Sequence, residues 1–308
     1  MEFTLSSDQQ ALMDGLDPLL VKHAEPPQAN RAQRHYYDHA LDRALSDNGF
    51  LGIVREEGYS ALEGALVVDA ISKLPVTVET AATVLVAPHL LPADFLRPLV
   101  LISGPITRPQ RFLPQARAAL MEKDGDVLYF EIPEGSVEEV ESIFAYPMGK
   151  FKELPDLSKA TKLGPDAVPK LHQWWRVALA VEAGAAMTAA TAFTVEYVKN
   201  RKLFNRTLGS FQAVQHRLAE CHQYSRGIRY LGLKAAWSGD PLDAALAAAY
   251  AQKHIDKVRF DLHQFNGGMG VSNEHLLHYW TYRFTCLDSE LGGPSANAAA
   301  AAKLAYAA

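Results

Sequence analysis

The sequence predicts a mainly α-helical protein with a small β domain in its middle, and three observations predict it. Apolar residues recur at helical spacing through about the first 90 residues. The run ARAALMEKDGDVLYFEIPEG then sets two apolar stretches around Asp124-Gly125, a pairing that favours a tight hairpin. From about residue 167 onward the chain returns to long apolar segments with few helix breakers. The expected architecture is a helical N-terminal domain (1–92), a reduced antiparallel β domain (93–165) and a C-terminal four-helix bundle (166–308).

The elements follow in order. Ser6-Ser7-Asp8-Gln9 reads as a helix start, with a serine able to cap and an acid in the first turn. Leu12, Leu16, Leu19 and Leu20 then mark one face. The pattern returns in YYDHALDRALSDNGFLGI and in LEGALVVDAISKL, separated by a loop around Gly58, and Pro88, Pro92 and Pro98 punctuate the exit. In the β domain the Asp-Gly hairpin and SIFAYPMG read as strands, three to five in all, too few to close a substantial barrel. WWRVALAVEAGAAMTAATAFTVEYVKN gives the first bundle helix, whose small residues permit close packing. SFQAVQHRLAECHQYSRGIRYLGLKAAW gives the second. The third opens at Asp240-Pro241 as cap and first-turn proline, and NEHLLHYWTYRFTCLDSELG gives the fourth.

Composition narrows the function classes. A formal net charge of -5 disfavours a general nucleic-acid surface. Two cysteines, Cys221 and Cys286, are too few for a disulfide framework and suit a reducing cytoplasm. The opening residues lack the basic and apolar regions of a secretory signal. Apolar runs such as ALVVDAI or the C-terminal alanine run are too short or too weakly apolar to span a bilayer. A cytoplasmic protein without a membrane partner is expected.

Two stretches carry chemistry. In RKLFNRTLGSFQAVQ, Arg201 and Arg206 can contact a phosphate, Phe204 can stack on a base and Gln212 can reach polar edges. The same residues also read as a solvated basic helix end whose cations complement the helix dipole. In HQFNGGMGVSNEHLLH, Gly267, Gly268 and Gly270 allow backbone amides to approach a phosphate. The plain alternative is a helix terminator followed by a new cap. His275 and His278 lie one helical turn apart, but E-H-x-x-H is not the zinc-binding H-E-x-x-H, so no metal is expected. Trp174-Trp175 reads as core or interface.

The two stretches together resemble one family. Arg201-x-x-Phe204 with Gly209-Ser210-Phe211-Gln212-x-x-Gln215 is similar to the R-x-x-F-G-R-x-I-x-x-F-Q-x-x-Q segment of acyl-CoA dehydrogenases. Gln264-Phe265-Asn266-Gly267-Gly268-Met269-Gly270 resembles their Q-x-x-G-G-x-G, and NEHLLHYWTYR resembles the continuation found in branched bacterial members. The resemblance extends, more weakly, to DNGFLGIVREEGYSALEGALVVDAISKLPV. It implies a flavin enzyme of the α,β-dehydrogenation of an acyl-CoA, with FAD gripped by a neighbouring subunit through Arg201, Phe204, Gln212, Gln264, Gly267 and Gly268. Asn205 stands where the family usually has glycine, and Asn266 where it usually has histidine.

Departures from the pattern are equally informative. There is no counterpart of the T-E-P-x-x-G-S-D stretch that covers flavin and binds acyl-CoA. Of the family's two positions for the catalytic base, one falls on Trp175 and the other on Leu291, with Glu290 one residue away. The resemblance is therefore to the short non-catalytic subunit of α2β2 heteromeric acyl-CoA dehydrogenases of the steroid-degradation type. It implies FAD shared with a second dehydrogenase subunit that carries the base, and a bulky acyl-CoA substrate. Two alternatives stay open: a self-sufficient homo-oligomeric dehydrogenase using Glu290 as base, and a flavin-free interaction scaffold.

Overall fold

A computed structural model describes residues 4–102, 104–203 and 205–306. Helix α1 (Ser7–Lys22) opens with a capping box in which Ser6 and Gln9 satisfy each other's backbone amides. Helix α2 (His39–Asp47) is capped by the Asp38 carboxylate, which accepts from the amides of Ala40 and Leu41. Helix α3 (Ala61–Ser72) repeats the capping box with Ser60 and Glu63 and is buried on nearly every side. All-round burial explains why its sequence is apolar rather than amphipathic.

The β domain is richer than its sequence suggested. Strands β1 (Leu99–Ile102), β3 (Ala118–Lys123), β4 (Asp126–Glu131) and β7 (Thr161–Lys162) form one sheet in the order β1-β3-β4-β7. Strands β2 (Gln110–Arg111), β5 (Val137–Glu139) and β6 (Met148–Phe151) form a second, in the order β2-β6-β5. The hairpin β3–β4 turns at Asp124 and Gly125, both with positive φ (53° and 77°), as an Asp-Gly turn requires. Two expectations are corrected. β1 pairs with β3 in parallel, because the chain leaves the first sheet to contribute β2 to the second before returning. The strand expected in SIFAYPMG begins only at Met148, since Pro147 has no N–H to donate to a ladder.

The rest is helical: α4 (Ala167–Asn200), α5 (Gln212–Ser238), α6 (Pro241–Asn266), α7 (Leu277–Leu287) and α8 (Gly293–Tyr306), with a two-stranded hairpin of β8 (Lys202–Leu203) and β9 (Arg206–Thr207) after α4. The fourth expected helix forms as α7, over a shorter span, and α8 is a further helix beyond it. Positive φ at Leu291, Gly292 and Gly293 breaks them apart, and the alanine-rich end becomes α8, packed on α6. Helix α4 lies at the centre. It is long and apolar enough by composition to cross a membrane, contrary to the expectation for this chain, but 78% of its apolar window is buried inside the protein. Close packing against α5 depends on Gly184 and Gly232. A Cβ at Gly184 would sit 2.8 Å from the backbone nitrogen of Arg229, and one at Gly232 would sit 3.2 Å from that of Val181.

Polar ties join the layers. Arg229 of α5 donates to Asp69 of α3 at 3.0 Å. Buried Arg283 of α7 has no carboxylate partner among the described residues and donates to the carbonyls of Ser72, Leu74 and Val76, where α3 ends. Those carbonyls lie at or just past the C-terminus of α3, where no helical amide follows to bond them, and need a donor. Tyr279 and His278 similarly bond the carbonyls of Asn30 and Gln33. The N-terminal helices and the bundle therefore share one core.

Candidate functional site

The first chemical stretch folds as a compact corner. At the end of α4 the Arg201 amide donates to the Tyr197 carbonyl at 2.9 Å, and the Leu208 amide returns to the Arg201 carbonyl at 2.7 Å. Between them lies the β8–β9 hairpin, with Asn205 at φ 61°. After glycine, asparagine is among the residues that tolerate this conformation best, which explains why it can stand in the usual glycine's place. Arg206 lies over the Phe211 ring, 3.7 Å from its centre. Gln215 donates to the Gly209 carbonyl at 2.8 Å.

The second stretch ends α6. Gly267 has φ 58° and ψ -140°, and its amide donates back to Gln264 and His263. Asn266 turns inward: its Nδ2 donates to Thr194 Oγ1 at 2.9 Å and to the Leu262 carbonyl at 2.8 Å, pinning α6 to α4. Its Oδ1 is buried without a hydrogen-bond partner.

These two corners face each other across one cleft of about 680 Å³. Arg201, Gln264, Gly267 and Gly268 all line it, with Tyr197 and Arg217 beside them. Four of the sequence-predicted residues, separated by some 60 positions in the chain, are thus brought together. Gln212 is exposed at the first turn of α5 and is not part of this lining. Phe204 lies outside the described residues. Arg217 was not anticipated: its partner Asp261 is 44 residues away, and no spacing rule links them.

Whether a dinucleotide fits is testable on the glycines. Gly270 is explained by packing, because a Cβ there would meet Asn266 and the His263 carbonyl at 3.0 Å. Gly267 is explained by its positive φ. Gly268 is explained by neither: its φ is not positive, and an added Cβ would meet no heavy atom within 4 Å. A bare backbone facing open space suits the close approach of a phosphate or ribose. The cleft wall carries two guanidiniums and, among the described residues, no carboxylate. These features fit the outer, pyrophosphate-bearing part of FAD.

Glu290 lies elsewhere. It falls in a short 3-10 turn between α7 and α8, and Leu291 beside it has φ 53°. Its carboxylate accepts from Arg111 Nε at 2.5 Å and from the Trp175 indole at 2.7 Å. Arg111, reaching in from β2, also makes a bidentate bond to Glu182 of α4, at 3.0 and 2.9 Å. All three charged side chains are at most 10% exposed. Burial pushes the Glu182 carboxyl above its ordinary range, with Arg111 pulling the other way. Below the cluster, Gln252 donates to the Glu290 carbonyl at 2.9 Å and holds the turn. Neither Arg111 nor Glu182 gives a sequence signal, since the cluster assembles residues from β2, α4 and the turn after α7.

The family model of the acyl-CoA dehydrogenase C-terminal domain matches residues 166–301, the segment that builds the cleft. Along nearly its whole length the chain is also 26% identical, over 299 residues, to the acyl-CoA dehydrogenase IpdE2 of Mycobacterium tuberculosis, covering 91% of this chain and 92% of that one. Residues 166–301 thus match the acyl-CoA dehydrogenase C-terminal domain, and the chain as a whole is similar to an acyl-CoA dehydrogenase. Members of this family are FAD-dependent. Among solved structures, the ChsE4-ChsE5 complex of Mycobacterium tuberculosis superposes with a TM-score of 0.81 at 22% identity, covering 99% of both chains. The Tcur3481-Tcur3483 steroid ACAD does so with a TM-score of 0.81 at 22% identity, covering 98% of both. The chain therefore shares the fold of these structures from its N-terminal helices to its last.

Proposed function

We propose that this chain is the non-catalytic subunit of a heteromeric, α2β2 acyl-CoA dehydrogenase acting on a bulky, steroid side-chain acyl-CoA in the cytoplasm. The observation that carries the reading is the single cleft in which Arg201, Gln264, Gly267 and Gly268 meet at the surface of the bundle. Similarity to one chain of the ChsE4-ChsE5 complex and to a steroid ACAD supports the heteromeric and steroid parts.

FAD, when bound, supplies the acceptor for the hydride leaving the acyl β-carbon. The chain's own residues bind and orient. Arg201 offers planar donors to the pyrophosphate, and a guanidinium suits such bidentate recognition. The Gly267 and Gly268 backbone offers close approach, and Gln264 a polar edge. The carboxylate that takes the α-proton comes from the second subunit. Glu290 is poorly placed for that task here, because both its oxygens already accept bonds from Arg111 and Trp175 inside the protein. A base must reach the proton it abstracts.

Flavin content decides the matter. The chain is purified alone and after co-expression with a candidate dehydrogenase subunit, and each visible spectrum is recorded. Flavin retained only in the complex, and lost with Arg201→Ala, is the expected result. Flavin and turnover in the chain alone, abolished by Glu290→Gln, would replace this reading with a self-sufficient dehydrogenase. Stable assembly without flavin in either sample would replace it with a scaffold.

A further inference from the structure

Arg217 stands in the second turn of α5 and lines the same cleft as Arg201. Nothing in the motif spacing marks it, yet it is the more firmly held of the two cations. One terminal nitrogen bonds Asp261 Oδ1 of α6, a carboxylate with 0% residue exposure. The guanidinium carbon lies 5.0 Å from the centre of the Phe265 ring and 5.7 Å from that of Phe260. The other oxygen of Asp261 accepts from Lys257 at 2.7 Å, so the carboxylate is itself fixed. A guanidinium has five N–H donors, and Asp261 is the only acceptor of Arg217 among the described residues. Its side chain remains 35% exposed on the cleft side of this anchor. Such an arrangement costs little further entropy when an anion arrives, because the fork is already oriented.

We propose that Arg217 is a second cationic contact for the dinucleotide, pairing with Arg201 to clamp its pyrophosphate from the opposite corner of the cleft. This rests on the reading of the cleft as an FAD site. Beyond Asp261, which holds Arg217 from behind, no carboxylate among the described residues lines the cleft, and its two guanidiniums suit a diphosphate. Asp261 is a positioning residue that sets the direction of the fork.

The test uses the full-length chain co-expressed with its dehydrogenase partner, stripped of flavin and titrated with FAD by fluorescence. ADP and riboflavin are run as competitors. Arg217→Gln is expected to weaken FAD binding by about tenfold or more, the loss of one charge-assisted hydrogen bond. Competition by ADP should weaken by a similar factor, whereas any competition by riboflavin should not change. Arg217→Lys keeps the charge beside Asp261 but not the fork, and should fall between. Should Arg217→Gln lower the melting temperature, Arg217→Lys carries the comparison in a folded protein. Wild-type FAD affinity in both Arg217 variants, together with a loss in Arg201→Ala, would overturn the role of Arg217 alone. Wild-type affinity in Arg201→Ala as well would overturn the underlying cleft.

Discussion

The Trp175 indole donates to the Glu290 carboxylate across 2.7 Å, in the interior of the protein. Trp175 occupies one of the two positions at which family resemblance places a base, and Glu290 adjoins the other. In this chain the two meet as a structural pair. Arg111 completes the arrangement by bridging Glu290 to Glu182, which fastens the β domain to the bundle. The carboxylate most open to a catalytic reading is thereby committed to holding domains together.

Arg111→Met is expected to be strongly destabilising. It leaves Glu182 and Glu290 as neighbouring buried carboxylates with no cation between them. Removing one partner of a buried ion pair costs about 3–5 kcal/mol. Urea unfolding measures this, and a loss below about 1 kcal/mol would show that the cluster does not bear on stability.

Gly268→Val and Gly270→Ala should separate binding from folding. A side chain at 268 enters open space, so unfolding should shift by no more than about 0.5 kcal/mol while FAD retention in the complex falls. A methyl at 270 presses on Asn266 and the His263 carbonyl and should cost about 1–3 kcal/mol by overpacking. Flavin spectra and melting curves on both variants check the contrast.

Gly184→Leu should force α4 from α5. Even a Cβ would lie 2.8 Å from the Arg229 backbone, which no rotamer relieves. Stability is expected to fall by about 3 kcal/mol or more, beyond the usual overpacking cost. The Arg229–Asp69 tie to α3 should loosen with it, visible as faster amide exchange in α3.

His89 makes stability depend on pH. Its ring stacks on Trp174 at 3.5 Å with planes 1° apart, and its Nε2 is buried without a partner. Burial, with Arg55 and Lys170 nearby, lowers its pKa to about 4. A free imidazole titrates near 6.5, so between those values the unfolded chain binds more protons than the folded one. The contribution is full above about pH 6.5 and is lost as pH falls toward 4. The wild-type melting temperature should drop across that window, and His89→Gln should flatten the drop.

Much of this was legible in the sequence because local chemistry decided it. Ser6 with Gln9, Asp240 with Pro241, and Asp124-Gly125 each act on their own few residues, and each forms the cap or turn its chemistry dictates. Arg201, Gln264, Gly267 and Gly268 were legible as two motifs, since each lies in a short contiguous segment. Where local rules compete, the sequence misled. The fourth bundle helix starts only at Leu277, a further helix follows it from Gly293, and β1 pairs in parallel with a strand some twenty residues on.

By itself, then, the sequence determined the helical periods, the caps, the hairpin and the two short motifs at the corners. Tertiary structure alone decided that those corners share one cleft, that Arg217 joins them through Asp261, and that Glu290 is locked between Arg111 and Trp175. The physical reason is range. Caps and turns are set by hydrogen bonds within a few residues, whereas a buried charge cluster and a cleft exist only once helices distant in the chain have packed and excluded water.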